Sequence, residues 1–450
     1  MNRSGIGSLG AWIALAAWVF AAAAGAADPG AADSRALRRT PAVDVFEQWK
    51  DAVVFVTGPR VKGDTPTTEE FFLPATPGPE ENSVGTGFVI HESGYVLTNA
   101  HAAERIIQAR ILLSDNKAYA AELVANNHAR DVALLKIEAG RPLKAVRLAA
   151  VDDLMVGETV IVIANPHGLL RTCTVGVLSA VGRNSALVDV RGLTLQNLIQ
   201  SDAGINPGSS GGPWFNAAGD VIGMTTSMKR DAENIAFAIP VTTLRRALPE
   251  MLDAERRYGF ETGLEVAPDG PCEVISVRPS SSAAEAGLQA GDAITRLADR
   301  PIATSAAFHL ALVGRKPGEQ LSVLVERQGA PKRGTITLGR RAKPDAAALL
   351  RQKLGLTAAA LTPERARVMN LRVPYGVVVT EVDAKLYEKV SHQPQPGDVL
   401  ARIGYIRPRD LDQAGRLLEK TQPKQPLSIV LLRKDGSRVT RIDMNVVLSR

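Results

Sequence analysis

Apolar and polar positions change over in short blocks through the first half of the chain, broken by glycines, a rhythm that predicts strands more than helices. Asp44 to Lys50 spaces its apolar residues as a short helix, and Ala52-Val53-Val54-Phe55-Val56 follows as a strand. A polar loop rich in Pro, Thr and Glu is expected from about Gly58 to Asn82. Gly85-Thr86-Gly87-Phe88-Val89-Ile90 and Tyr95-Val96-Leu97-Thr98 then read as two strands joined at Glu92-Ser93-Gly94, with His101 just beyond the second. Short strands and glycine turns continue to about Ile239, as in an all-β barrel protein. Runs such as Val160-Ile161-Val162-Ile163 read as buried strands and not as a lipid-binding surface.

Beyond about Arg257 the pattern changes. Ser282 to Ala286 predicts a short helix stopped at Gly287, followed by an apolar plug at Leu288 and a Gly291-Asp292 turn into a strand. Similar blocks recur as Leu354-Gly355-Leu356-Thr357, Gly376 to Val382, Pro396-Gly397-Asp398-Val399-Leu400 and Leu427 to Leu432, which marks an internal repeat. The second copy departs in its helix region, around Leu386-Tyr387-Glu388-Lys389-Val390, and a linker is expected at about Arg340 to Asp345.

At 450 residues the chain exceeds one typical core, so several domains are expected. Its formal charge of +6 is spread without a Lys/Arg block, which suits solubility more than a nucleic-acid surface. Arg3, the alanine-rich apolar run from about Leu9 to Ala24, and Ala24-Gly25-Ala26 form a signal-peptide pattern over residues 1–27, with an uncleaved anchor as the alternative. Export to a periplasmic or other cell-envelope compartment follows. Cys173 and Cys272 fall in different expected domains and are read as unpaired thiols. The scattered histidines give no metal-ligand spacing, so neither metal nor cofactor is expected.

The chemistry concentrates at Gly208-Ser209-Ser210-Gly211-Gly212-Pro213. A serine hydroxyl is a poor nucleophile near neutral pH and needs a base in hydrogen-bond reach, with a third group to orient that base. His101 and Asp131 can fill those roles for Ser210. The glycines let the backbone bend so that amides of the Gly208-Ser209-Ser210 turn, those of Gly208 and Ser210 above all, converge on an oxyanion. His167 and His128 read as loop residues, not as a second general base.

Gly85 to Ile90, Thr98-Asn99-Ala100-His101, Arg130 to Ile137, Gln200 to Pro213 and Ala236-Phe237-Ala238-Ile239-Pro240 together resemble the HtrA (Deg) family of trypsin-like serine proteases. The resemblance implies a mainly β chain: a trypsin-like double antiparallel β-barrel over residues 40–248, followed by two PDZ-type α+β domains at 257–340 and 346–449. His101 and Asp131 would come from the first barrel and Ser210 from the second. In trypsin-like zymogens the residue before the nucleophile is an aspartate that pairs with a new N-terminus; here it is Ser209, so activation must work another way. The resemblance implies that loops near Leu169 to Thr172, Arg183 to Gln196, Ala203 to Gly208 and Thr225 to Glu233 order the oxyanion turn.

By the same resemblance the substrate pocket is walled by Gly204, Ile205, Thr225, Thr226, Ser227, Ile235 and Phe237. It holds no charge, which points to cleavage after small or medium aliphatic residues. Peptide ends would be caught at Gly263 and Leu264, and at Gly355 and Leu356 in the second copy. Thr262 stands where the family usually carries an apolar residue. The expected partners are unfolded protein or peptide substrates and further copies of the chain, as a homotrimer or larger assembly, with Phe46, Trp49, Phe71 and Phe72 as joining aromatics. The competing reading is a peptide-binding or chaperone-like scaffold with a silent protease domain.

Overall fold

A computed structural model of the chain describes residues 34–60, 81–104, 106, 109–187, 193–228, 233–369, 371, 376–388, 393–404, 406–422, 426–436 and 438–447. The signal pattern at 1–27, Phe71 and Phe72 lie outside the described residues, as do 188–192 and 229–232 of the expected ordering loops. Among the described residues no helix is long and apolar enough to cross a membrane.

A helix runs Pro41–Trp49, its proline in the first turn where an N–H has no helical partner. It buries Val45 and Trp49. The Trp49 indole stacks on Phe215 with centroids 6.3 Å apart and donates to the Gly219 carbonyl at 2.7 Å. Trp49 is therefore committed to its own chain, which corrects its assignment as a subunit-joining aromatic.

Six strands close the first barrel: β1 (Val53–Arg60), β2 (Glu81–His91), β3 (Tyr95–Thr98), β4 (Arg110–Leu112), β5 (Ala118–Asn127) and β6 (Val132–Ile137), in the order β1-β2-β3-β6-β5-β4. The β1–β2 ladder extends from Val53↔Phe88 to Arg60↔Glu81, so regular structure reaches into the stretch expected to be loop. The second sheet contains β7 (Arg147–Leu148), β8 (Thr159–Ala164), β9 (Thr172–Leu187), β10 (Leu193–Ser201), β11 (Pro213–Phe215), β12 (Asp220–Met228) and β13 (Ala236–Pro240). Its order is β11-β8-β9-β10-β13-β12-β7, and an added β11–β12 pairing closes it.

Strand β8 shows why these runs are apolar on both faces. Val160 and Val162 fill the second barrel with Trp214 and Ile222, whereas Ile161 and Ile163 turn outward to pack with Phe88, Leu97 and Leu134 of the first barrel. Alternation within the strand thus serves two cores at once. The helix Val241–Leu252 closes the inter-barrel core with Leu244 and Leu248.

Two smaller α+β units follow. The first has a four-stranded sheet ordered Arg300–Pro301, Ala293–Leu297, Gln320–Arg327 and Ala330–Thr337, with ribbons Leu264–Val266/Val274–Val277 and Phe260–Glu261/Gly339–Arg340. The second has a five-stranded sheet of Leu356–Ala360, Val377–Val382, Val399–Ile403, Pro426–Asp435 and Arg438–Val447, in chain order. Their kinship is visible in one buried device. Arg327 holds Asp292 through both carboxylate oxygens, at 2.5 and 2.8 Å, and donates to the Gly287 carbonyl. Arg433 holds Asp398 in the same way, at 2.9 and 2.8 Å, and donates to the Gln393 carbonyl. In each copy the aspartate also accepts an amide three residues earlier, from Gln289 and from Gln395.

The first unit docks on the protease barrels along a seam. Ala306, Leu310 and Val313 join the inter-barrel core, Tyr95 and Tyr258 share a hydroxyl hydrogen bond of 2.8 Å, and buried Arg245 reaches Asp269 at 2.8 Å. Arg300 pairs with Glu92 and lies 3.4 Å from His91 Nε2. Burial, helped by the Arg300 cation, pushes the His91 imidazole down to about 4. Burial likewise pushes His309, on the helix Ser305–Ala311, down to about 4 against the opposing pull of Asp253. Both rings stay neutral where a solvated imidazole would be protonated, so their stabilisation is complete above about pH 6.5 and is lost as the pH falls toward 4. Thermal denaturation followed across pH 7 to 4 should show Tm falling through that window, and His309→Asn should flatten the profile; an unchanged profile in the variant removes His309 from the seam's pH response.

Candidate active site

The strand β3 ends at Thr98 and the chain turns through Asn99 into the short helix Ala100–Glu104, which carries His101. Asp131 lies at the end of the 3-10 turn His128–Arg130, which Asn127 caps by accepting the Arg130 amide at 3.1 Å. Its φ of 54° is left-handed, a conformation that aspartate tolerates better than most residues. That bend brings the carboxylate back over β3.

Asp131 Oδ1 accepts the His101 backbone N–H at 3.0 Å, and both carboxylate oxygens lie 2.9 Å from His101 Nδ1. Thr226, on β12 of the other barrel, donates its hydroxyl to Asp131 Oδ2 at 2.8 Å. The aspartate side chain is 3% exposed and the histidine 19%. A buried carboxylate needs such donors, each charge-assisted bond being worth about 1.5–3 kcal/mol. With Nδ1–H turned to the carboxylate, the proton sits there and Nε2 carries the lone pair, the tautomer a general base requires.

The Ser210 turn is stitched onto β2. Thr86 N–H donates to the Ser210 carbonyl at 2.9 Å, and a Cβ on Gly85 would lie 3.8 Å from that oxygen and 3.7 Å from Cβ of Ala102, next to His101. The turn's own bonds run from Ser209 N–H to the Asn206 carbonyl, from Asn206 N–H to Ser209 Oγ, and from Gly212 N–H to the Ser209 carbonyl, at 2.9, 3.2 and 2.9 Å. Ser209 is thus a buried cap for its own turn. Gly211 cannot carry a side chain: its φ is +85°, and a Cβ would come 2.0 Å from the Thr86 carbonyl.

The expected pocket residues surround this turn unevenly. Gly204 faces open space, with nothing within 4 Å of where a Cβ would stand, while Ile205 is half-buried against the second barrel core. Thr225 is buried and its hydroxyl accepts the Trp214 indole N–H at 2.9 Å. Ser227, Ile235 and Phe237 are half-buried, with Ser227 and Phe237 paired across β12 and β13. Thr226 holds Asp131, a role that its place in the sequence did not reveal. His167 is exposed and His128 belongs to the 3-10 turn, as loop residues. Cys173 and Cys272 are free; burial pushes the Cys272 thiol up to about 12, which leaves it inert.

At the first PDZ-type unit, the amides around Gly263 are partly in use. The Glu255 carboxylate accepts both the N–H and the hydroxyl of Thr262, at 2.9 and 2.6 Å, and Thr262 Oγ1 accepts the Leu264 N–H at 3.2 Å. In the second unit the Gly355 N–H closes the helix Ala346–Leu354 by bonding to the Arg351 carbonyl at 2.9 Å, and Leu356 is buried.

A trypsin-like peptidase domain matches residues 85–224 and a PDZ domain matches 221–338. A probable periplasmic serine endoprotease DegP-like of Ectopseudomonas mendocina is 33% identical over 380 residues, covering 77% of this chain and 78% of the relative. The putative serine protease HhoB of Synechocystis is 35% identical over 302 residues, covering 62% and 72%. Among solved structures, the serine endoprotease from Yersinia pestis matches at 26% identity with a TM-score of 0.38, over 68% of this chain and 99% of that one. A relative of this identity matched over most of both chains settles the kinship: the chain belongs to the HtrA/Deg family and is a trypsin-like serine endopeptidase with an attached PDZ domain.

Proposed function

We propose that Ser210 attacks the scissile carbonyl while His101 Nε2 takes its proton and returns it to the leaving amine, with Asp131 holding the imidazole and stabilising its charged form. The observation that carries this reading is the Asp131 carboxylate, buried and bonded at once to His101 and Thr226. The amides of Gly208 and Ser210 receive the tetrahedral oxyanion; the Ser209 amide, also expected there, is instead spent on the Asn206 carbonyl at 2.9 Å. Each such donor is worth about 10²–10³ in kcat, which makes the turn as important as the nucleophile.

The pocket formed by Gly204, Ile205, Thr225, Thr226, Ser227, Ile235 and Phe237 contains no ionisable side chain. A substrate Arg or Lys would bury its charge there unpaired, so cleavage follows small or medium aliphatic residues such as Val or Ala. The substrates are unfolded or damaged proteins of the cell envelope. Supports for that location are the signal-peptide pattern at residues 1–27 and the periplasmic names of several relatives. The working assembly is a homotrimer or larger, and the functional units run 40–248, 257–340 and 346–449.

The PDZ-type units present peptide ends to the protease and regulate it. Capture at Gly263 and Leu264 requires the Leu264 amide, which is spent on Thr262 Oγ1, and Glu255 holds Thr262 in that place, so a peptide carboxylate must displace an arrangement that Glu255 maintains. The second unit, at Gly355 and Leu356, offers fewer donors, because the Gly355 amide closes a helix.

Two measurements test this reading. Wild-type protein should cleave casein and take up a fluorophosphonate on Ser210, and Ser210→Ala should do neither; a fluorogenic panel should prefer Val or Ala at P1, and preference for Arg would refute the pocket. Wild-type protein that does neither at several temperatures would favour a peptide-binding scaffold. Independently, Glu255→Ala should tighten binding of a free-carboxylate peptide on the order of tenfold, about 1.4 kcal/mol, with no gain for the amidated peptide; equal gains would show that Glu255 does not guard the loop.

A further inference from the structure

The Gly208 N–H lies in the Pro207–Gly208 peptide plane, which is hinged at the Gly208 Cα to the Gly208–Ser209 plane, so its aim depends on both planes being held. Its φ of +97° is open to glycine alone, and glycine is also the residue that rotates most freely. The plane before it is fixed by the His167 N–H, which donates to the Pro207 carbonyl at 2.9 Å. The plane after it is fixed by a side chain: Thr86 Oγ1 donates to the Gly208 carbonyl at 2.7 Å.

The direction of that bond is settled by counting. The Thr86 oxygen accepts the Asn165 N–H at 2.9 Å, and Asn165 Nδ2 stands 3.5 Å away. A hydroxyl has one proton to give, so with amide donors arriving from Asn165 that proton goes to Gly208. Asn165 is itself fixed: its Nδ2 donates to the Val54 carbonyl at 2.9 Å and its Oδ1 accepts the Arg171 N–H at 2.9 Å. Thr86 is wholly buried and Asn165 is 1% exposed, so no solvent bond replaces a lost one. The backbone N–H of the same Thr86 holds the Ser210 carbonyl, and its carbonyl accepts the Thr98 hydroxyl at 2.7 Å.

We propose that Thr86 is a positioning residue for the oxyanion hole, its hydroxyl locking the Gly208–Ser209 peptide plane while its oxygen accepts the Asn165 amide. It touches no substrate atom and acts through Gly208. The proposal rests on Ser210 and Gly208 having the roles proposed above. It assigns to this chain a device that stands where a zymogen-type aspartate would otherwise anchor the turn: Ser209 caps the turn locally, and Thr86 ties it to the rest of the domain.

The experiment compares wild type, Thr86→Val and Thr86→Ser in the full chain. Valine keeps the shape and removes the proton; serine keeps the proton. Thr86→Val should lower kcat by about 10–100-fold with KM within about threefold, and slow fluorophosphonate labelling of Ser210 in parallel, because both reactions build charge in the hole. Thr86→Ser should recover wild-type kcat within about threefold, which a role in packing alone would not predict. Should Thr86→Val not fold, Thr86→Ala is measured in the same way. Wild-type kcat and labelling in the valine or alanine variant would overturn the proposal, as would a serine variant no better than valine. Failure of the wild type itself to label at Ser210 would instead overturn the assignment of the nucleophile.

Discussion

The Asp131 carboxylate is the interaction on which the site depends, because neither barrel can satisfy it alone. The first barrel supplies the backbone and ring N–H groups of His101, and the second supplies the Thr226 hydroxyl. Removing one partner from a buried charge costs far more than the bond is worth in water. The carboxylate therefore constrains the relative placement of the two barrels, and the inter-barrel core built from Phe88, Leu97, Leu134, Ile161 and Ile163 makes that placement stiff. Apolar packing brings the barrels together; the Asp131 cluster, with the bonds of Thr86 and Asn165 across the same seam, selects the register in which they meet.

The same division of labour governs the Ser210 turn. Its glycines give the backbone access to the needed conformation and, by the same freedom, leave it without a preference for that conformation. Order must come from outside the turn, and it arrives from β2, from the Asn165-to-Arg171 segment and from β12, where Gly211 N–H reaches the Thr225 carbonyl at 2.9 Å. Leu169 and Leu170 lie on that middle segment and are solvent-exposed, at 66% and 36%.

What could be read from the sequence divides along the range of the interactions. The strands Tyr95–Thr98 and Thr159–Ala164, and the turn at Ser210, are written in short apolar runs and glycine placement, and motif order supplied the barrels. The start of β2 at Glu81 escaped notice because Glu81 to Ser83 look polar; they pair with Pro59 and its neighbours, and pairing is not a local property. Thr226 was read as pocket wall, for nothing near it in the chain points to a carboxylate 95 residues away. The bond from Glu255 to Thr262 and the burial of Trp49 against Phe215 are likewise long-range choices that propensity does not encode. Gly85-Thr86-Gly87 did hold a clue: a lone hydroxyl between two glycines leaves room for another backbone to approach it.

The two PDZ-type units show how a duplicated frame can diverge at its working edge. Asp292 with Arg327 and Asp398 with Arg433 repeat the same forked geometry, and both aspartates are essentially inaccessible. Either half alone would leave a buried charge, so the pair resists piecemeal change. The loop before the first strand is under no such constraint. In one copy the Thr262 N–H and hydroxyl meet Glu255; in the other the Gly355 amide completes a helix whose Lys353 caps the helix Leu411–Glu419 through the Leu418 and Thr421 carbonyls, at 2.7 and 2.9 Å. Donors spent on the chain's own carbonyls cannot also hold a peptide end. The loop of the first unit is therefore held through side chains, Glu255 and Thr262, whereas that of the second is closed by a helix terminus.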